Sequence, residues 1–378
     1  MTDLAYAAAR SAAPAIHSHL VHHRDHGLAR GETGLASLPP DAAIARMIDA
    51  AFWASLRREE GYEPRISLAY LEPGETTHPL VFEHALALDP ATLARVAPAV
   101  ERPGVHLGVW PIDGVLRVWG VARAIPRYGC VVEVAEPGLL VVKHHRGDEL
   151  AKFTNVAVLQ GDQVRVVDEH ASHQADCPSI LSSMLGFEKP GAWGSSLHVL
   201  VQLAVSMRAH RRGGLLLVVP ESTTAWGDSV VHPSMYAVTP PYTELAALAV
   251  LPQVMRQRTW RDELGRAVDA VAGLTAVDGA AVLTAGYALL TFGAKIVRRH
   301  GAAPLEHVLV TEPIVGGAAT VLTPAQLGGT RHLAAGQFVH DQRDAVALTA
   351  SQDGRFTIFA WSPVRSMVHA HRVETLLL

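Results

Sequence analysis

The chain has 378 residues, 49% of them apolar and 18% charged. That is ample material for a large core and too little charge for a disordered chain, and the length suits two domains better than one or three. With 32 basic residues against 36 acidic ones, a formal charge of −4, the sequence lacks the cationic excess that phosphate-backbone binding needs, which argues against a dedicated DNA- or RNA-binding protein.

Residues 1 to about 104 are rich in Ala and Leu at helical spacing, as in Ala42-Ala43-Ile44-Ala45-Arg46-Met47-Ile48, and are broken by Pro39-Pro40, Pro73-Gly74 and Pro103-Gly104. They read as a mostly helical region with one or two strands. His17, His19, His22, His23 and His26 crowd one part of it. Five imidazoles can bind zinc, but only some share a helix face and Arg24 and Arg30 flank them, so the expectation is a polar surface helix rather than a metal site.

From 105 to 190 the pattern turns to short β-like runs at 105–110, 115–122, 130–134, 139–142, 156–159 and 164–167. Turn pairs such as Asp113-Gly114, Pro137-Gly138 and Gly161-Asp162 separate them, which predicts an antiparallel sheet. A second group of possible metal ligands, Glu169, His170, His173 and Cys177, has the right atoms but no His-Glu-x-x-His order and is set aside. Cys130 and Cys177 are too few for a disulfide framework.

From 191 to 378 the texture becomes α/β. Residues 197–209 have helical spacing, and Gly213-Gly214 releases into the uninterrupted apolar run 215–219, typical of a strand buried on both faces. Residues 242–255 and 261–272 read as helices, the first of them opened by Pro240-Pro241. Strands follow at 280–284 and 288–296, a helix at 331–342, and strands at 345–349 and 356–361. The uncharged run 279–294 contains three glycines and falls short of the ~20 residues that span a bilayer, so it reads as a strand pair. Nothing at the N-terminus reads as a signal peptide, so the expected location is the cytoplasm, with no membrane partner.

Two short elements carry candidate chemistry. Gly328-Gly329-Thr330-Arg331-His332 sets two glycines and a hydroxyl that fits the cap position immediately before a helix. The unpaired N–H groups of that helix start, with the planar donors of Arg331 and the imidazole of His332, suit a phosphate chain, although an ordinary capped surface helix would look similar. Asp278-Gly279-Ala280 sets an acid just ahead of a strand, able to hold a divalent cation or a sugar hydroxyl, or simply to make a turn. No Gly-x-Ser-x-Gly elbow, Walker loop or dinucleotide fingerprint is present.

Asp278-Gly279-Ala280, Gly329-Thr330-Arg331-His332, the run 344–351 (DAVALTAS), the run 355–361 (RFTIFAW) and the strand 214–219 (GLLLVV) resemble, in their order, the diadenylate cyclase (DAC) domain family over about half the chain. The resemblance implies a DAC-like domain at 191–378, a mixed sheet flanked by helices, preceded by an α+β region. It implies that Asp278, Gly279 and Ala280 place a Mg2+ or Mn2+ ion and a ribose hydroxyl if the site is functional, with Asp278 as metal ligand and, if the domain is active, catalytic residue, and that Gly329, Thr330, Arg331 and His332 hold phosphates. Because the family makes cyclic di-AMP from two ATP molecules held by two domains, it also implies a homo-oligomer.

Two departures bear on activity. The family's second arginine is Leu333 here, and residues 298–327 lengthen the separation of Asp278 from Arg331, with Arg343 and Arg355 as possible substitute cations. The chain also resembles, in overall layout, the divergent group labelled as probable sensor domains of the DACNV type; Asn155-Val156 reads simply as a strand start. The expectation is a binder or sensor of an adenine nucleotide or cyclic dinucleotide, ahead of an active diadenylate cyclase and of a scaffold with a vestigial site.

Overall fold

A computed structural model describes residues 5–59, 61–145, 153–168, 177–185, 194–234, 236–251 and 259–378. The chain is mixed α/β and divides into two compact units, residues 1–167 with Leu378, and residues 168–377. Each contains one large mixed sheet. Among the described residues no helix is long and apolar enough to cross a membrane.

The first unit comprises α1 (Ala7–Ala29), α2 (Asp41–Ser55), β1 (Ser67–Tyr70), β2 (Leu80–Ala87), α3 (Pro90–Val96), β3 (His106–Ile112), β4 (Val115–Ala122), β5 (Cys130–Glu136), β6 (Leu139–His145), β7 (Phe153–Gln160) and β8 (Gln163–Val166). Its sheet runs β2-β4-β3-β1-β5-β6-β7-β8. The β-like runs between 105 and 167 form hairpins as their turn pairs predict, with positive φ at Asp113, Gly114, Gly138 and Gly161. The sheet is not purely antiparallel: β1 pairs in parallel with β3, because the chain leaves β1 and returns through β2 and α3 before entering β3.

The helical and β-rich segments share a core. Ile16 and Leu20 of α1, Ile44, Met47 and Ile48 of α2, Leu68 of β1, and Leu107, Val132 and Val142 of the later strands are all buried in one cluster. The contact boundary accordingly falls after Val167 rather than at 104 and 190. The N-terminal helix is not a polar surface helix either: His19 and His23 lie on its buried face with Ile16 and Leu20, whereas His26 is exposed. Asn155-Val156 lies within β7, and the Asn155 amide donates to the carbonyl of Leu378 at 3.2 Å.

The second unit comprises α4 (Ser179–Leu185), α5 (Gly194–Ala209), β9 (Gly214–Val219), β10 (Tyr236–Tyr242), α6 (Glu244–Ala249), α7 (Trp260–Leu274), β11 (Ala280–Thr284), β12 (Leu289–Ala294), β13 (Val308–Thr311), β14 (Thr320–Leu322), α8 (Pro324–Leu327), α9 (Thr330–Asp341), β15 (Val346–Ala350), β16 (Phe356–Ser362) and β17 (Met367–Arg372). The strand order is β10-β12-β11-β9-β15-β16-β17-β13-β14. Every residue of β9 is buried, as its unbroken apolar run requires of a central strand. The run 279–294 forms the β11–β12 pair.

Two expectations change. Pro240 and Pro241 lie in β10 instead of opening a helix, and α6 begins after them at Glu244. A strand tolerates residues without an N–H at a sheet edge, and β10 is the edge. The segment 298–327 supplies β13 and β14, which extend the opposite edge; six strand spacings, about 29 Å, separate β14 from β11.

Candidate functional site

Asp278 follows the end of α7, where Thr275 caps the helix and donates from Oγ1 to the carbonyl of Ala272 at 2.6 Å. Gly279 then takes φ +119° and leads into Ala280, the buried first residue of β11. No side chain fits at Gly279: a Cβ there would stand 2.5 Å from the carbonyl carbon of Gly293 and 2.6 Å from its oxygen. The close approach of two backbones, rather than any contact of Asp278 itself, thus fixes the corner that carries the acid.

β9 and β11 are parallel, with Leu216 opposite Ala281 and Val219 opposite Thr284. Continued towards the N-terminal ends, this register sets Gly213 opposite Asp278. Gly213 has φ +72°, and a Cβ on it would meet Nη1 of Arg331 at 2.8 Å, so the guanidinium lies over Gly213. Its charge reaches the acid: the Asp278 carboxyl is held below its ordinary value by the hydrogen bond and charge of Lys295, with a further contribution from Arg331. Lys295 Nζ donates to Asp278 Oδ2 at 2.5 Å, in an exposed pair. Arg331 also helps lower the His210 imidazole, after burial and Arg212. At the N-terminal ends of β9 and β11, Lys295 therefore pairs with Asp278, and the Arg331 guanidinium lies over Gly213, the register position opposite Asp278.

The remaining predicted residues divide. Thr330 is the first residue of α9, not its cap; the cap position is held by Gly329, which has no side chain to accept a hydrogen bond from the helix start. His332 does not face the same way as Arg331. It is buried, its ring edge-on to Phe359 and its Nε2 3.5 Å from Thr357 Oγ1. Its Nδ1 would be 2.8 Å from a Cβ on Gly328, so the imidazole fills the space beneath the Gly328-Gly329 turn. Burial lowers its pKa, assisted by the charge of Arg372.

Leu333, where the resemblance would place a second arginine, is 47% exposed. Arg343 does not replace it: that guanidinium stacks 3.9 Å over Trp361, just before the start of β15, whereas Arg331 lies near Ala350 at the strand's far end. Arg355 is on the turn after β15 and pairs with Asp353 at 3.3 Å. The donor set at Asp278, one exposed carboxylate, fits a Mg2+ or Mn2+ ion that arrives with phosphate oxygens, not a resident ion in an all-protein cage. Glu169, His170 and His173 lie outside the described residues.

A pocket of about 400 Å³ opens at the other end of the central strands. Val219, Pro220, Ala285, Tyr287, Arg343 and Trp361 contribute to its lining. It lies beyond the C-terminal end of β9, about 17 Å along the strand from Gly213 and Asp278. Sequence reasoning missed it, because its wall is assembled from strand ends far apart in the chain.

A search of curated proteins returns no match. Among solved structures, a hypothetical membrane spanning protein from Bacillus cereus is similar at 12% identity and a TM-score of 0.28, over 53% of this chain and 74% of that one. Residues 33–123 match the family model of a probable sensor domain, DACNV. That segment runs from before α2 through β4 and lies in the first unit, whereas Asp278 and Arg331 belong to the second.

Proposed function

We propose that the second unit binds an adenine nucleotide or a cyclic dinucleotide at the N-terminal ends of β9 and β11, and that the chain is a nucleotide-responsive sensor. The observation that carries this reading is the placement of the Arg331 guanidinium over Gly213, the register position opposite Asp278, from segments more than fifty positions apart. Arg331 offers a planar fork to a phosphate beside backbone with no side chain in the way. Lys295 pairs with Asp278; were a phosphate-borne Mg2+ or Mn2+ bound, Asp278 would be the residue to hold it, supplying charge neutralisation for the phosphates, and Lys295 would be released to face them. His332, buried under Gly328-Gly329, acts as a positioning residue that props the turn ahead of α9.

Binding without turnover is favoured over cyclisation by Leu333, which leaves the triphosphate one cation short, and by the distance of Arg343 from the site. Ring closure would in addition need a second copy of the chain.

Calorimetric titration of the full chain with ATP and with cyclic di-AMP, with and without Mg2+, tests the proposal. Wild type is expected to bind one of them, Arg331→Ala about 10–100-fold more weakly, as for one lost charge-assisted hydrogen-bonding group, and Arg343→Ala as wild type. Binding indifferent to Arg331→Ala overturns it, and binding lost with Arg343→Ala alone moves the ligand to the opposite pocket. Cyclic di-AMP formed from ATP and detected by mass spectrometry would replace the sensor with a cyclase.

A further inference from the structure

The N-terminal histidines do something in three dimensions that their spacing along the chain does not reveal. His19 and His23 are four residues apart on α1, hence on one face of the helix. That face is turned inward, and each residue is only 8% exposed. Facing them is His144, the sixth residue of β6 and 1% exposed. Ring centroids are 4.6 Å apart for His19 and His23, 4.4 Å for His23 and His144, and 6.1 Å for His19 and His144. One ring nitrogen from each can be chosen so that all three lie within 4.8 Å of one another. A tetrahedral zinc ion with Zn–N bonds of about 2.0–2.1 Å needs its nitrogens about 3.3 Å apart, a contraction that small χ rotations of three imidazoles provide.

The surroundings read as a built wall. The ring of Tyr128 stacks on His144 at 5.7 Å. Its hydroxyl donates to Glu32 Oε2 at 2.9 Å and accepts from Arg30 Nη2 at 2.8 Å. Gly27, one turn beyond His23, leaves the room that this ring occupies: a Cβ there would come within 2.6 Å of it. Elsewhere on α1, His22 and His26 form another pair four residues apart at 4.6 Å, but His26 is exposed and, among the described residues, this pair has no third ligand that would complete a metal-binding group.

We infer that His19, His23 and His144 bind a single divalent cation of the zinc class, leaving a fourth position for water or a small anion. Three imidazoles with no carboxylate among them suit Zn2+, Co2+, Ni2+ or Cu2+ and not the hard, oxygen-seeking Mg2+ or Ca2+. The bound ion ties α1 to β6 within the first unit and so stabilises that unit by mass action. The site is independent of the nucleotide reading, with which it shares no residue.

Co2+ is the probe. The full chain, stripped with a chelator, is titrated with Co2+, and the expected result is the intense visible absorption of a tetrahedral ion saturating at one equivalent and displaced by Zn2+. One equivalent of Zn2+ should also raise the melting midpoint of the first unit by about 4 °C or more. His144→Gln and, separately, His19→Gln should abolish the tetrahedral band and weaken Zn2+ binding at least about tenfold, while the double variant His22→Ala, His26→Ala leaves both unchanged. Circular dichroism identifies any variant that fails to fold, and the other single variant then decides. The inference is overturned by a wild type that gives no tetrahedral band, or by a band that survives in the folded His144→Gln or His19→Gln chain and disappears with His22 and His26.

Discussion

Gly279 shows at the scale of one residue why the candidate nucleotide site needs its particular backbone. Its φ of +119° is a conformation that side-chain-bearing residues rarely adopt, and the atoms a Cβ would strike are main-chain atoms of Gly293, which cannot rotate away. Gly279→Ala is therefore expected to destabilise the second unit by about 1–3 kcal/mol and to displace Asp278 from the start of β11. Urea denaturation followed by circular dichroism checks the first effect, and loss of nucleotide affinity in the still-folded protein checks the second. Gly329→Ala is the contrasting change, because Gly329 has φ −75° and a Cβ added to it would meet nothing within 4 Å. The two glycines look alike in the sequence, and only the backbone they meet separates them. The same holds for Arg331 and His332: successive residues on a helix point about 100° apart, so a motif read as one donor cluster divides into an outward guanidinium and an inward imidazole.

Elements were legible in the sequence where burial follows a simple pattern and illegible where polarity and burial part company. β9 was readable because a central strand of a sheet covered on both faces must be apolar throughout, and β4 was readable because Asp113-Gly114 fixes the hairpin before it. β17 was not, since its sequence MVHAHR alternates apolar residues with histidines, yet His369 and His371 are as buried as Val368 and Ala370. Being between β16 and β13, the strand has no solvent edge. Thr311 on β13 meets the imidazole pair there, its hydroxyl 2.9 Å from His369 Nε2 and 3.2 Å from His371 Nδ1. Burial, then the neighbouring His369, lowers the His371 pKa from 6.5 to about 3. The sign follows from linkage: between those values the unfolded chain takes up a proton that the folded strand refuses, so stability is undiminished above 6.5 and is lost as pH falls towards 3. The loss approaches about 1.4 kcal/mol per pH unit for this one group. Denaturation of the second unit at successive pH values should give a slope that decreases by close to one proton in His371→Asn, whatever that substitution does to stability at neutral pH.

For the whole molecule, the informative fact is that each of the two units gathers a large core cluster from its own stretch of chain. Ile16, Ile48, Leu107 and Val142 share one cluster, while Leu217, Val282, Phe338 and Phe359 share another. The division after Val167 was hidden from the sequence because helices at 7–55 and strands at 106–166 differ in texture while packing together. The two candidate sites were hidden for a related reason. Arg331 lies over Gly213, which the parallel register of β9 and β11 sets opposite Asp278, and His144 reaches α1 from more than a hundred residues away. Units with separate cores melt as separate transitions unless their interface is extensive, and each proposed ligand belongs to one unit alone. Differential scanning calorimetry of the intact chain should therefore show two transitions with selective responses. Zn2+ should move the transition that His144→Gln leaves insensitive to metal, and the adenine ligand should move the one that Arg331→Ala leaves insensitive to nucleotide. A ligand at a hundred times its dissociation constant stabilises its own unit by about 2.7 kcal/mol, which for a domain of this size amounts to roughly 5–10 °C. Both ligands moving the same transition would show that the two units unfold cooperatively and would overturn the expectation of separate transitions.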